Sequence, residues 1–185
     1  MVNATKVSGD SAYWFVEQEL PIQLPMDVSV FGNSFNMFFL SLDFLNFVNE
    51  DFETSENIAL FKPFNGYIID RAYTAEQNNL ALSSISYLVE GEVGNRILKL
   101  EVKNFGSLVE LVTTNTTEVY INYQFWYYEN TGKIEIHYGP HNITDLSLLS
   151  MENNNSMLFG SSVNGDMNVG TVSGTIPNEV YIEAE

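Results

Sequence analysis

The chain has 185 residues, of which 45% are hydrophobic and 14% aromatic, a composition too apolar for a disordered protein. It carries 24 acidic and 7 basic residues, a net charge of -17, and such a field repels nucleic acid, which binds through Lys and Arg. No apolar run approaches the ~20 residues of a membrane helix, which argues against membrane insertion, and the absence of cysteine excludes disulfides and thiolate metal sites.

The length suits one domain covering residues 1–185. Residues 1–5 lack the basic start and apolar stretch of a signal peptide. If the protein is exported, we therefore expect this sequence to be a piece of a larger secreted multidomain protein.

The first quarter of the chain predicts short strands separated by turns. A first strand is predicted at residues 13–16. Two prolines make residues 20–25 an edge or lead-in segment, because each proline removes a hydrogen-bond donor from a ladder. Residues 28–31 and 34–38 predict a hairpin around a Gly-Asn turn at residues 32–33, since these residue types adopt positive φ angles.

The next segments are shorter and more polar. A strand is predicted at residues 58–61, ending near Pro63, and Ile68 and Ile69 resume a strand after a turn. Residues 72–84 predict a loop, in which residues 75–80 form the one candidate helical turn.

The second half has clearer alternation. After a strand at residues 85–90, residues 96–103 place Leu98, Leu100 and Val102 on one face and charged residues on the other, the pattern of a half-buried strand. A strand at residues 108–112 and a loop at residues 113–117 follow.

Residues 120–128 form the longest predicted strand. One face carries Ile121, Tyr123, Phe125 and Tyr127, and the other carries Asn122, Gln124, Trp126 and Tyr128. An Asn-Thr-Gly turn leads into a partner strand at residues 133–138 and makes this the most secure hairpin. Further short strands are predicted at residues 146–149, 157–159 and 180–182. About ten short strands with little helix predict an all-β fold, an antiparallel, jelly-roll-like β-sandwich.

Catalytic groups are sparse. Only His137 and His141 could act as imidazole bases, and no Gly-x-Ser-x-Gly motif supplies a hydrolase nucleophile. The spacing of the two histidines suits zinc only on a helix, and Gly139 and Pro140 break any helix there. Glu101, Glu129 and Glu135 lie on or beside strands and are candidates for a glycoside-hydrolase carboxylate pair, although solvated strand faces are the better explanation of them.

Asn- and Asp-rich turns offer oxygen ligands to a hard cation. Asp166, Asn164 and Asn168 form a candidate calcium site, and calcium is the one candidate cofactor. The segment lacks the twelve-residue loop with a closing Glu, and the same residues are ordinary turn formers.

One strand face combines aromatic rings with amides. Trp126 and Tyr128 share a face with Gln124 and Asn122, an arrangement suited to stacking on sugar rings and hydrogen bonding to hydroxyls. The alternative is that this strand is central and that Trp126 fills part of the core or a sheet edge.

Three segments resemble β-rich modules of secreted Bacteroidetes proteins that precede a type IX secretion sorting domain. They are residues 94–104 (GNRILKLEVKN), 123–129 (YQFWYYE) and 134–140 (IEIHYGP). Residues 58–61 (IALF) are similar to the I-A-P-F segment that precedes them, with Leu60 in place of the proline, and the hairpin at residues 28–39 fits the opening of those modules. The resemblance implies a secreted or cell-surface location within a multidomain parent, and it implies no uniform activity.

These observations favour a non-catalytic extracellular or cell-surface module used for adhesion, glycan binding or scaffolding. Its partners would be polysaccharide or other surface proteins. A polysaccharide hydrolase with paired carboxylates and a purely structural spacer are the alternatives.

Overall fold

The computed structural model describes residues 1–7, 22–41, 44–49, 57–63, 66–73, 80–149, 156–163, 166–173 and 183–184. The strands predicted at residues 13–16 and 180–182 lie outside the described residues, as do residues 75–79 of the candidate helical turn.

The described residues contain thirteen strands and one short α-helix. In chain order these are β1 (Thr5–Lys6), β2 (Ile22–Val30), β3 (Asn33–Ser41), β4 (Phe44–Val48), β5 (Ile58–Lys62), β6 (Ile68–Asp70), β7 (Ser84–Glu90), β8 (Ile97–Ser107), α1 (Leu108–Thr114), β9 (Ile121–Tyr128), β10 (Ile134–Tyr138), β11 (Ser156–Val163), β12 (Asp166–Ser173) and β13 (Glu183–Ala184). They form two antiparallel sheets, which confirms the predicted β-sandwich.

The six-stranded sheet has the order β12-β11-β5-β4-β3-β2. Its β2–β3 hairpin turns at Phe31 and Gly32, whose φ angles of 51° and 77° are those of a two-residue hairpin turn. The turn therefore lies one residue earlier than the predicted Gly-Asn pair, and Asn33 is already paired with Val30 in the ladder.

Pro25 lies where the sequence predicts it, on a strand at the sheet edge. β2 ends the six-stranded sheet, and its pairing with β3 shifts register between Gln23 and Val28. Pro25 lies within that irregular stretch, where a missing N–H removes no regular ladder bond.

The seven-stranded sheet has the order β1-β7-β8-β9-β10-β13, with β6 also paired to β8. β8, β9 and β10 align so that Leu100 faces Phe125, which in turn faces Ile136. All three side chains are buried, and their chain neighbours point to the opposite face. The predicted alternation of β8 and the β9–β10 hairpin are therefore confirmed.

Two predicted strands are helical instead. Residues 108–112 belong to α1, because the Ser107 hydroxyl accepts hydrogen bonds from the backbone N–H groups of Val109 and Glu110 and so caps a helix. The helix continues to Thr114, so the predicted loop at residues 113–117 begins later. Residues 146–148 form a 3₁₀ helix for a related reason: the Asp145 side chain accepts from the Ser147 N–H.

The core lies between the sheets. Phe125 of the seven-stranded sheet has its ring centroid 5.1 Å from those of Phe47 and Phe61 in the six-stranded sheet. Two tyrosines add polar links between the layers: the Tyr127 hydroxyl accepts from the Ser29 N–H at 3.0 Å, and the Tyr138 hydroxyl donates to the Pro63 carbonyl. Burial raises the pKa of Tyr138, so this hydroxyl keeps its proton.

Replacing the central aromatic residue tests the importance of this inter-sheet contact. Phe125 is fully buried, so we expect Phe125→Ala to lower the free energy of unfolding by about 3–5 kcal/mol in urea denaturation. Val93→Ala, at an exposed turn position, should change it by less than about 0.5 kcal/mol. Equal effects of the two substitutions would contradict the proposed core.

Candidate functional site

The outward side chains of β8, β9 and β10 form a polar and aromatic surface, which we call the outer face. The pairing register places Glu101, Gln124 and His137 side by side in one row across the three strands. The adjacent row contains Lys99, Trp126 and Glu135. Successive side chains of a strand point to opposite faces, so the residues between these positions point into the core. Burial of those core residues therefore determines which side chains lie on the outer face.

A cleft of about 440 Å³ opens on the outer face at one end of these strands. It is lined by Glu101, Lys103, Asn122, Tyr123, Gln124, His137, Tyr138, Gly139 and Pro140. Gly139 permits close packing at its wall, since a Cβ there would lie 3.0 Å from that of Asn122.

Gln124 connects the two rows of the outer face. Its amide nitrogen donates to Glu101 Oε1 at 2.8 Å, and its amide oxygen accepts from the indole Nε1 of Trp126 at 2.8 Å. The amino group of Met1 also donates to both oxygens of Glu101, at 3.1 and 3.0 Å. The row is therefore fixed by hydrogen bonds on both sides of Gln124.

Trp126 is covered on both faces of its ring. The Lys99 ammonium lies 4.0 Å from the ring centre, and the His137 imidazole stacks at 4.1 Å with an interplanar angle of 26°. Two groups this close to the ring centre cannot share one side, so they occupy opposite faces. A sugar could stack on Trp126 only if one of these groups moved.

Tyr128 belongs to a second network that surrounds Glu135. The Tyr128 hydroxyl and the Nε2 atom of His137 each lie 2.8 Å from Glu135 Oε2, and Lys133 pairs with Oε1 at 2.7 Å. Burial alone would raise the pKa of Glu135, but the hydrogen bonds from these three groups outweigh it and lower the pKa below its usual value. Glu135 therefore stays ionised.

Asn122 has a structural role at the edge of the cleft. Its oxygen accepts from the Asn104 N–H at 2.9 Å, and its nitrogen donates to the Pro140 carbonyl at 2.6 Å. Asn104 has a φ of 59° where the β8–β9 register shifts. Asn122 thus ties this irregular strand position to the segment after β10.

The four residues predicted to bind a ligand share the outer face but not the cleft. Gln124 and Asn122 line it, whereas Trp126 and Tyr128 do not. Sequence reasoning missed Lys103, Gly139 and Pro140 as cleft residues. Alternation already placed Lys103 on the same face as Glu101, but only the strand register shows that this part of β8 meets the segment after β10.

The residues of the candidate calcium site are only partly described. Asp166 is exposed at the start of β12, Asn168 of the same strand pairs with Ser161 of β11, and Asn164 lies outside the described residues. His137 contacts Glu135, whereas His141 accepts from the Ile143 N–H through Nδ1. Within the described ranges, no group of three or more His, Cys, Asp or Glu could hold a metal ion, and calcium stays a prediction.

Glu129, the remaining candidate for a hydrolase carboxylate beside Glu101 and Glu135, lies just after the end of β9. It accepts from Arg96 Nε at 2.9 Å and from the backbone N–H groups of Gly94 and Arg96 at 2.8 and 3.0 Å. Chiefly because of the hydrogen bonds from Arg96, the pKa of Glu129 falls to about 2. This carboxylate closes the turn between β7 and β8.

The sequence matches the family described as NIDO related over residues 2–180, and the chain belongs to this family. Domains of this family are typically extracellular, so the chain is an extracellular-type β module. No curated protein and no solved structure shows significant similarity to it. In the part of the chain that the structure describes, no helix has the length and apolar character needed to cross a membrane.

The Glu129 contacts predict a defined pH dependence. The folded-state pKa of about 2 lies below the ~4.3 of a free glutamate, so ionised Glu129 stabilises the fold above that pH and this contribution is lost as pH falls towards 2. We expect Glu129→Gln to be less stable than the wild type at neutral pH, with the difference shrinking in acid. Urea denaturation across this pH range checks it, with exposed Glu92→Gln as control; a difference that stays constant would contradict the assignment.

Proposed function

We propose that this NIDO-related chain is a non-catalytic module of a larger secreted or cell-surface protein, and that it binds a glycan in the cleft of the outer face. The observation that carries the proposal is the cleft itself, whose walls are held by hydrogen bonds before any ligand arrives. Its volume of about 440 Å³ lies in the range of small-molecule sites, about 300–1,000 Å³. A preorganised wall reduces the entropy lost on binding.

The polar groups of the cleft suit a neutral or charged sugar. Gln124 and Glu101 hold each other in place, and Met1 also donates to Glu101. Both retain hydrogen-bonding capacity, since the amide nitrogen has a second N–H group and Glu101 Oε2, which accepts from Met1 alone, can accept a further bond. Gly139 and exposed Pro140 provide a close, rigid backbone wall opposite them. The face of β9 therefore remains the proposed binding surface, with the contact region moved from Trp126 towards Lys103.

The carboxylates argue against the hydrolase alternative. A glycosidase needs one carboxylic acid whose pKa is raised so that it can protonate the leaving group. The pKa values of Glu129 and Glu135 are instead lowered by hydrogen bonds, and Glu101 accepts from Gln124. All three act as hydrogen-bond acceptors that hold strands and turns together.

Secretion in Bacteroidetes through the type IX pathway remains a further part of the proposal, supported by the resemblance of residues 94–104, 123–129 and 134–140 to modules of such proteins. Adhesion and scaffolding would then follow from attachment to neighbouring domains.

Paired glutamine substitutions test the site. Gln124→Ala, on the cleft wall, should weaken binding of a glycan found on an array of neutral and acidic oligosaccharides by about tenfold or more in calorimetric titration. Gln23→Ala, exposed on β2 at the edge of the other sheet, should bind as the wild type does. Urea denaturation of both variants verifies that the fold is kept.

Two results would overturn the proposal. If no glycan on the array binds, the spacer alternative is favoured. The chain is a hydrolase if it cleaves bound oligosaccharides so that new reducing ends form, and if Glu101→Gln abolishes their formation.

A further inference from the structure

Most lysines of this acidic chain lie on one surface. Four of its five lysines, Lys6, Lys99, Lys103 and Lys133, lie on or beside the outward side of the seven-stranded sheet. The fifth, Lys62, is buried in the six-stranded sheet. The chain carries 24 acidic and 7 basic residues, so this group of lysines makes the side less repulsive to an anion than the net charge of -17 alone implies.

These lysines differ in what neutralises them. Lys99 pairs with Glu90, and Lys133 pairs with Glu135; each also lies over an aromatic ring of the outer face. The Lys103 side chain is exposed and has no ion-pair or hydrogen-bond partner among the residues that the structure describes. Lys103 is also the lysine that lines the cleft.

We propose that the cleft selects an anionic sugar, whose carboxylate or sulfate pairs with the Lys103 ammonium. This inference rests on the proposed glycan binding and specifies its ligand class. Glu101, two residues earlier on the same strand face, accepts hydrogen bonds from the Met1 amino group and from Gln124. Its charge is therefore balanced by Met1, which leaves the Lys103 ammonium available to a ligand. The ligand hydroxyls then contact the Gln124 side of the cleft.

The charge of the whole molecule limits the size of this ligand. Screening at physiological ionic strength confines electrostatic interactions to about 8 Å, so Lys103 acts at contact, while the net charge of -17 disfavours the further charges of a long polyanion. A short oligosaccharide with one or two acidic groups therefore fits better than an extended polyuronate.

A carboxylate and its methyl ester provide the decisive comparison. Digalacturonic acid should bind the wild type about tenfold or more tightly than its dimethyl ester at about 0.15 M ionic strength, because the ester keeps every ring and hydroxyl but loses the charge. Lys103→Met keeps the apolar stem and removes the ammonium, so it should bind acid and ester equally. Lys6→Met, on the same side of the sheet but outside the cleft lining, should keep the preference for the acid.

The outcomes separate this inference from the proposed function. If wild type binds acid and ester equally, or if Lys103→Met retains the preference, the anionic selectivity is wrong while glycan binding stands. If neither sugar binds but neutral glycans do, the same conclusion holds. A sulfated disaccharide in a parallel titration shows whether sulfate replaces carboxylate, and failure of every glycan overturns both proposals.

Discussion

The aromatic contact between Phe125 and the pair Phe47 and Phe61 holds the two sheets together, and the placement of every outward side chain on β9 depends on it. Phe125 points into the space between the layers, so Gln124 and Trp126 must point out. A shift of one residue in the pairing would bury the amide and the indole and expose the phenylalanine. The free energy lost by burying these polar groups and exposing the phenylalanine therefore fixes the geometry of the outer face.

In this register, short polar contacts connect the side chains of the outer face. Gln124 is hydrogen-bonded to both Glu101 and Trp126, and Glu135 contacts Tyr128, His137 and Lys133. The aromatic rings that looked available for sugar stacking are instead covered by neighbouring cations and an imidazole. On the described part of the outer face, the cleft at the end of the strands is open to a ligand, where the side chains of β8 and β9 meet the backbone after β10.

Charge gives this surface its distinct character. The chain as a whole is strongly acidic, yet four of its five lysines lie on the side of the cleft, and those beside Trp126 and Tyr128 are matched by glutamates. Lys103, which lines the cleft, is the lysine on which the proposed ligand charge depends. The family membership adds the extracellular setting in which such a module would meet glycans.

Local patterns in the sequence determined the all-β class, the β9–β10 hairpin, the buried face of β8 and the edge position of Pro25, because alternation and proline chemistry act on neighbouring residues. The Ser107 cap is a local signal for the helix at residues 108–114, which the strand-like composition of that segment conceals. Tertiary structure adds the bonds of buried Glu110, whose carboxylate accepts from the backbone N–H groups of Glu118 and Val119 across a bend. It also decided the covering of Trp126 and the shape of the cleft. These depend on which strands pair and in what register, a non-local result of packing the hydrophobic face.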